Sequence, residues 1–470
     1  MDPNSQKVTS SNQHNVSQGP PVTDRLANFI ANLDFEKIPE RALHNAKLHI
    51  LDTLGVALAA VSSPVAGLAF DYCKSTGGPP QSSVWGTSLK TSPPMAAFAD
   101  GLLAHALDFD DWDAVVHVGH PSSVVLSAAA VLGEARHATG KDLLKAYIVG
   151  IETASQIASG CPDLHPRGFH STPVYGSIGA MAAAASITQL DAEKIKAACG
   201  IAASGAGGIH RQQGSMVKPF HAGNAARNGV EAVLLAERGF TADAAIIENP
   251  RGFCDTFFGA GNCDYQKMIE GLGNPYFFEA PGLGLKLHPC SAPQFLAADA
   301  TLHLMRQHRL RYPDVTKVEV RIPPLRYKRH YHPAIRSGLQ AKFAVNYVAA
   351  ICVLDGKLEV DSFSDIKANA LDVQEALKKI EVIVDNSIPE PGKYCPVTIE
   401  LTNGTRVSHT ATIAKGHPRN PLTENEVLDK FRSNVRNSIS PRRSTELINC
   451  VSKLEQVPDT VELTGLLGPG

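Results

Sequence analysis

The sequence predicts a mainly α protein: a large all-helical domain plus a smaller α+β domain. Three observations carry this. Apolar residues recur at helical spacing through the first half of the chain. β-Patterned stretches appear only after a Gly- and Pro-rich break at Gly271-Leu-Gly-Asn-Pro275. The pattern then returns to helix after Gly416-His-Pro418. At 470 residues the chain is too long for one compact core, so two domains are expected.

The elements follow in order. Residues 1–22 are rich in Ser, Asn, Gln and Pro, with no apolar run and no Arg-rich amphipathic face. They read as a disordered tail, neither a secretory signal nor a mitochondrial presequence. Residues 23–272 form the first part of the helical domain. Within Ile38–Ala60, Ala42, Ala46, Ile50 and Leu54 share a face at i, i+4 spacing, with Leu43, Leu51 and Leu58 beside it. Further helices are expected at Pro94–Leu107, Ser122–Ala138, Lys141–Ala158, Thr172–Thr188, Asp191–Ser204 and Gly223–Arg238. Ala and Gly on their apolar faces allow close helix packing. Residues 273–418 form the α+β domain. Its strands are Lys317–Ile322, Ile380–Val384, Val397–Leu401 and Arg406–Ile413, the last two joined by an Asn403-Gly404 hairpin turn. Helical stretches at Ala292–Gln307 and Gln340–Leu354 interleave with them. Residues 419–470 return to helix at Glu424–Phe431 and Pro441–Leu454, so the β-containing domain is inserted into the helical one.

A hydrophobic content of 43% with 19% charged residues suits a soluble globular enzyme, and a net charge of −2 gives no reason to expect nucleic acid or an anionic membrane as partner. No apolar run is long enough to span a bilayer. The nine cysteines are scattered, odd in number and without C-x-x-C. That pattern points to reduced thiols in a cytoplasmic protein, without a zinc ribbon or an iron–sulfur cluster. No internal repeat, strand-borne G-x-G-x-x-G or Walker loop is present, so a nucleotide site is unsupported.

Five places concentrate polar residues in apolar surroundings. The first is His105-Ala-Leu-Asp108-Phe-Asp110-Asp111-Trp112-Asp113, followed by His117 and His120-Pro-Ser122. Its bland reading is a solvated loop with Ser122 capping the next helix. A metal site is the other reading, but EF-hand and H-E-x-x-H spacings are both missing. The second, Arg167-Gly-Phe-His170, places a histidine before an Ala-rich helix, either as a cap or as a proton donor or acceptor held near neutral pKa. The third is Lys218-Pro-Phe-His221, at the mouth of a helix whose free N–H groups suit an anion; an exposed lysine is its bland reading. The fourth is Lys286-Leu-His288-Pro-Cys290-Ser291. The fifth is the basic, aromatic loop Arg326-Tyr327-Lys-Arg-His-Tyr-His332, which suits a small polycarboxylate better than a polyanion because the rest of the chain is not basic.

These segments together resemble the MmgE/PrpD family, which includes 2-methylcitrate dehydratases and cis-aconitate decarboxylases. The likeness runs from about Thr23 to about Val451. It rests on Asp108-Phe-Asp-Asp111 with His120-Pro-Ser122, Gly168-Phe-His170, Lys218-Pro-Phe-His-Ala-Gly-Asn224, Asn249-Pro-Arg-Gly-Phe253, Lys286-x-x-Pro289, Ala341-Lys-Phe343 and Gly416-His-Pro-Arg-Asn-Pro421. The resemblance implies that the α+β domain acts as a lid, that the protein is a homodimer, and that it needs neither metal nor organic cofactor. It implies a lyase of a small di- or tricarboxylic acid, first a cis-aconitate-decarboxylase-like carboxy-lyase. A citrate-type dehydratase is the alternative, ahead of a dicarboxylate epimerase or an inactive carboxylate-binding homologue.

Carried over by position, the decarboxylase pattern falls on Asp108, His120, His170, Lys218, Lys286 and Tyr327. Lys218 and Lys286 are expected to clamp carboxylates and His120 and His170 to handle protons. Asp108 is expected to orient an imidazole and Tyr327 to donate to substrate, with His221 and Ser291 as further substrate contacts. Two positions depart. The Trp112-Asp113 region replaces an expected Thr, and Ser291 stands where a His is expected five residues after Lys286. The string His120-Pro-Ser-Ser-Val-Val-Leu126 is closer to the decarboxylase branch.

Overall fold

The computed structural model describes residues 20–469. The tail expected over 1–22 lies outside the described residues apart from Pro20, Pro21 and Val22, and Val22 already opens the first helix. Thr23 explains that start: its N–H and hydroxyl both donate to the buried Glu248 carboxylate, fastening the helix to the body.

The helical part contains α1 (Val22–Asn32), α2 (Glu40–Ala60), α3 (Pro64–Thr76), α4 (Pro93–Ala106), α5 (Pro121–Arg136), α6 (Gly140–Ser159), α7 (Ser171–Thr188), α8 (Ala192–Gly205), α9 (Val217–Glu237) and the short α10 (Phe253–Phe258). Every residue of α7 from Ser171 to Ile187 is buried, so it forms the centre of the bundle, packed by α5, α6 and α9. Small residues set how closely these helices approach. A Cβ on Gly223 of α9 would lie 2.2 Å from the Phe98 carbonyl of α4, and one on Gly101 would meet Gly223 itself at 3.1 Å. α4 and α9 are thus in backbone contact, which brings the C-terminal end of one beside the N-terminal end of the other.

Two short ladders join loops to this bundle. β1 (Ser82–Ser83) pairs with β2 (Lys90–Thr91), and β3 (Asp111–Trp112) pairs with β4 (Gly284–Leu285). The second ladder crosses between the two parts of the molecule and sets Lys286 beside the loop at Asp108.

A separate core is built from α11 (Phe295–Gln307), β5 (Val315–Ile322), α12 (Pro324–His330), α13 (Gly338–Ala341), α14 (Val345–Asp355), α15 (Asp365–Ala368), α16 (Leu371–Leu377), β6 (Ile380–Val384), β7 (Cys395–Leu401) and β8 (Arg406–Ala411). Its sheet has the order β6-β5-β7-β8. β5 and β6 run parallel, and the other pairs are antiparallel. The β7–β8 hairpin turns at Asn403-Gly404, where Gly404 has φ +81°. Val315, Val318, Val320 and Ile322 of β5 are buried on the side of α14, while α11 packs on β7 and β8. The chain then returns through α17 (Glu424–Val435), α18 (Pro441–Ser452) and α19 (Thr460–Gly465), and Phe431, Leu447 and Leu463 join the first core. The architecture is a helical domain plus a smaller α+β domain. Residues Arg326–His330 differ from the expected loop. They form α12, because Pro324 starts a helical turn directly after β5.

Candidate active site

Several elements end at one point between the two parts. α4 delivers His105 in its last turn. His120 is the N-cap residue of α5, ahead of the expected Ser122, because Pro121 takes the first helical position. His170 is the N-cap residue of α7, and Lys218 and His221 lie in the first turns of α9. Three helix N-termini therefore converge, each presenting the positive end of its dipole, although the first N–H groups of α5 and α9 are already taken, by Asp111 and by Ser215. Between them Asp108 adopts φ +53°, a conformation costly for a non-glycine residue and held here by surrounding contacts.

Asp108 is the hub. Its Oδ1 accepts from Lys286 Nζ at 2.6 Å and from Lys218 Nζ at 3.1 Å, and Lys286 also donates to its carbonyl at 2.8 Å. Lys218 Nζ donates to His105 Nε2 at 2.7 Å, and His105 Nδ1 meets Asp110 at 2.8 Å. An ammonium can only donate, so His105 carries its proton on Nδ1 and gives it to Asp110. His120 Nδ1 contacts the Asp111 carbonyl at 2.6 Å and must donate to it, which leaves Nε2 free, 3.8 Å from Asp108. His170 Nδ1 and His221 Nδ1 are 3.1 Å apart. The Asp111 carboxyl takes no part in this chain; it accepts from the Ser122 N–H and hydroxyl and fixes the turn into α5.

Burial and charge set the protonation states. Burial alone would raise the Asp108 pKa, but Lys218, Lys286 and His120 hold it well below the carboxylate range. Asp110 is likewise held low against burial, mainly by His105 and His120. Burial, then Asp110, pushes Asp111 well up. Burial together with Lys286 keeps His120 well below its ordinary value, and burial together with Lys218 does the same for His170. Burial also lowers His105, and it lowers His221 to about 4. The imidazole expected near neutral pKa at His170 is thus uncharged at neutral pH in this site, because it is sealed among cations. Burial lowers Lys218 too, and brings Lys342 to about 8.

Of the residues singled out in sequence, Asp108, His120, His170, Lys218, His221 and Lys286 come together. No hydrogen bond joins Tyr327 to them. It lies on α12 at the edge of the second core, its ring stacked on Tyr331. Ser291 caps a short 3-10 turn and its N–H donates to the Lys342 carbonyl; its hydroxyl makes no contact with the cluster. His105 and Asp110, whose sequence positions assign them no role, complete the hydrogen-bond chain. So does Lys342: its ammonium donates to the Leu107 and Pro289 carbonyls and fastens the α+β part to the Asp108 loop. The signal for it was the Ala341-Lys-Phe343 string, whose lysine looks like any surface lysine until its neighbours are known.

His105, Asp108, Asp110 and His120 offer ligand atoms that all lie within 4.8 Å of one another. The donor set fits a divalent ion, yet Lys218 and Lys286 already direct positive charge at the same carboxylate. An ammonium and a metal ion compete for that place, and the two lysines supply the charge without one.

Known proteins are similar in sequence over most of this chain. The sequence model of the MmgE/PrpD N-terminal domain matches residues 24–266, and that of the MmgE/PrpD C-terminal domain matches residues 288–456. The chain belongs to the MmgE/PrpD family. It is 31% identical to a cis-aconitate decarboxylase of Homo sapiens, over 95% of both chains. It is 26% identical to one of Aspergillus terreus, over 95% of this chain and 96% of that one. A 2-methylcitrate dehydratase of Escherichia coli K12 is 24% identical over 91% of this chain and 93% of its own. These relatives are named as a decarboxylase or a dehydratase, and each is similar over more than nine-tenths of this chain.

Proposed function

We propose that this MmgE/PrpD protein is a cofactor-free carboxy-lyase of the cis-aconitate-decarboxylase kind, acting on a small tricarboxylic acid. The carrying observation is the arrangement around Asp108. Lys218, Lys286 and Lys342 stand against two ionised carboxylates, Asp108 and Asp110, among uncharged imidazoles at three helix N-termini. That excess of positive charge in a buried site suits a ligand with several carboxylates.

Lys218 and Lys286 hold the spectator carboxylates. The bond to the departing carboxylate breaks, carbon dioxide leaves uncharged, and the electron pair stays on carbon, where fixed ammonium groups stabilise it. A proton then completes the product. His120 Nε2 is the delivering atom, because its Nδ1 is held by the Asp111 carbonyl. Substrate charge raises the imidazole pKa from its depressed value, so the proton arrives with the ligand. The His170–His221 pair lines the opposite side.

The same cations serve a dehydratase, and relatives of that name align over nine-tenths of the chain. A panel of cis-aconitate, citrate and 2-methylcitrate separates the two. Release of carbon dioxide from cis-aconitate is expected. Growth of alkene absorbance from a citrate without carbon dioxide would transfer the assignment to dehydration, and no turnover of any of them would leave a carboxylate-binding protein.

The protein also reads as a cytoplasmic homodimer. Its described cysteines are unpaired. Ile209, Met216, Val217 and Phe220 leave apolar surface exposed beside the site, from 37% to 63% of each residue, the kind of patch that a second copy covers. Light scattering should return twice the chain mass; a monomer would remove that reading. Among the described residues no single helix is long and apolar enough to cross a membrane.

A further inference from the structure

Three cysteines distant in sequence meet behind the segment that carries His170. Cys161 lies two residues beyond the end of α6, Cys254 is the second residue of α10, and Cys263 lies in the loop after α10. Their sulfurs all lie within 4.8 Å of one another, and Cys161 Sγ is 3.7 Å from Cys263 Sγ. Cys254 is buried and the other two are half-buried. The Asp264 N–H donates to the Gly160 carbonyl at 2.8 Å, which holds the two outer turns in register.

We propose that Cys161, Cys254 and Cys263 form a three-thiolate site for a thiophilic metal ion such as zinc(II), separate from the catalytic cluster. Zinc–sulfur bonds of about 2.3 Å place sulfurs about 3.8 Å apart in a tetrahedral site and about 4.0 Å apart in a trigonal one. The 3.7 Å pair already has that spacing, and the third sulfur needs to move by no more than about an ångström to reach it. A disulfide would instead require two sulfurs to close to about 2.05 Å and would leave the third without a role. The half-exposure of Cys161 and Cys263 leaves an approach for the ion and space for water as fourth ligand. Each thiol loses its proton to solvent on binding, so the site tightens as pH rises.

The site's position ties it to the catalytic region. Arg167 donates to the Phe258 carbonyl of α10, and Phe169 packs edge-on against Phe257. An ion joining Cys161 to α10 therefore pins the base of the segment that ends at His170.

Cobalt(II) added to the reduced full-length protein tests this. A thiolate-to-cobalt charge-transfer band is expected, together with the d–d absorption of a four-coordinate ion, and zinc(II) should displace both. The His105–Asp108–Asp110–His120 group contains no sulfur and cannot produce that band. Cys161→Ser, Cys254→Ser and Cys263→Ser should each abolish it, and Cys450→Ser, elsewhere in the fold, should not. In the unmodified protein, zinc should slow alkylation of Cys161 and Cys263, read by peptide mass spectrometry, while Cys450 reacts at its original rate. The proposal is overturned by a missing charge-transfer band, by a band that survives loss of Cys161 and of Cys263, or by alkylation that zinc leaves unchanged.

Discussion

At the residue scale, the histidines around Asp108 have little access to protons until a ligand brings negative charge. His120 and His170 are kept uncharged by burial and by Lys286 and Lys218. A tricarboxylate between those cations reverses the local field. Binding of a saturated, unreactive tricarboxylate at pH 7 should therefore take up protons from solvent. Calorimetry in buffers of different ionisation enthalpy measures the uptake, and a binding enthalpy independent of buffer would contradict it. His170→Ala removes an imidazole from this set, and kcat should fall about 10²–10⁴-fold, the range for general acid–base groups. His170 is 4% exposed, so the variant also leaves a gap and an unpaired His221 Nδ1, and its melting temperature should drop modestly. Wild-type kcat/KM in that variant would remove His170 from the mechanism.

At the element scale, the site depends on how closely α4 and α9 approach. His105 closes one and Lys218 opens the other, and their 2.7 Å contact requires the Gly101–Gly223 crossing. Gly223→Ala would place its Cβ 2.2 Å from the Phe98 carbonyl, a main-chain atom that cannot rotate away. The helices must separate, at a cost of about 1–3 kcal/mol. Thermal unfolding should show the loss, and kcat should fall as well although residue 223 touches no substrate. An unchanged melting temperature and rate would mean that the crossing tolerates a methyl group. The β3–β4 ladder plays the equivalent part across the two domains, since Asp111 opposite Leu285 sets Lys286 against Asp108.

At the scale of the whole molecule, buried neutral histidines make stability depend on pH. His105, His120 and His170 are depressed below 6.5, His221 to about 4 and His49 to about 3, each by burial first. Below about pH 6.5 the unfolded chain binds protons at these positions while the folded chain does not. Stability therefore rises with pH through this window and is lost as pH falls from 7 to 5, by up to about 1.4 kcal/mol per pH unit for each histidine. Asp108 and Asp110 titrate below this window, while Asp100 and Asp111, pushed well up by burial, act in the opposite sense and reduce the loss. Melting curves should shift down between pH 7 and pH 5, and a bound tricarboxylate should shrink the shift. A melting temperature that holds or rises on acidification would show that proton uptake by the buried carboxyls Asp100 and Asp111 outweighs the histidines.

The sequence by itself determined the architecture. Helical spacing in α2 and α4–α9, alternation in β5–β8 and the Asn403-Gly404 turn are local patterns, and each element follows from its own residues. Motif order pointed to the family, to Asp108 and to five of the residues gathered around it. Only the tertiary structure decided which polar groups meet. Tyr327 follows a strand, as the motif requires, but its helix turns it onto Tyr331. His105, Asp110 and Lys342 lie in segments whose own patterns give them no role, yet they link Lys218, the Asp108 loop and the α+β domain. Cys161, Cys254 and Cys263 carry no metal spacing in the chain and become neighbours only where α6 ends and α10 begins. The physical reason is range. Periodicity and turn chemistry act over a few residues, whereas burial, charge pairing and pKa depend on groups brought together from far along the chain, and close packing fixes those groups to within tenths of an ångström.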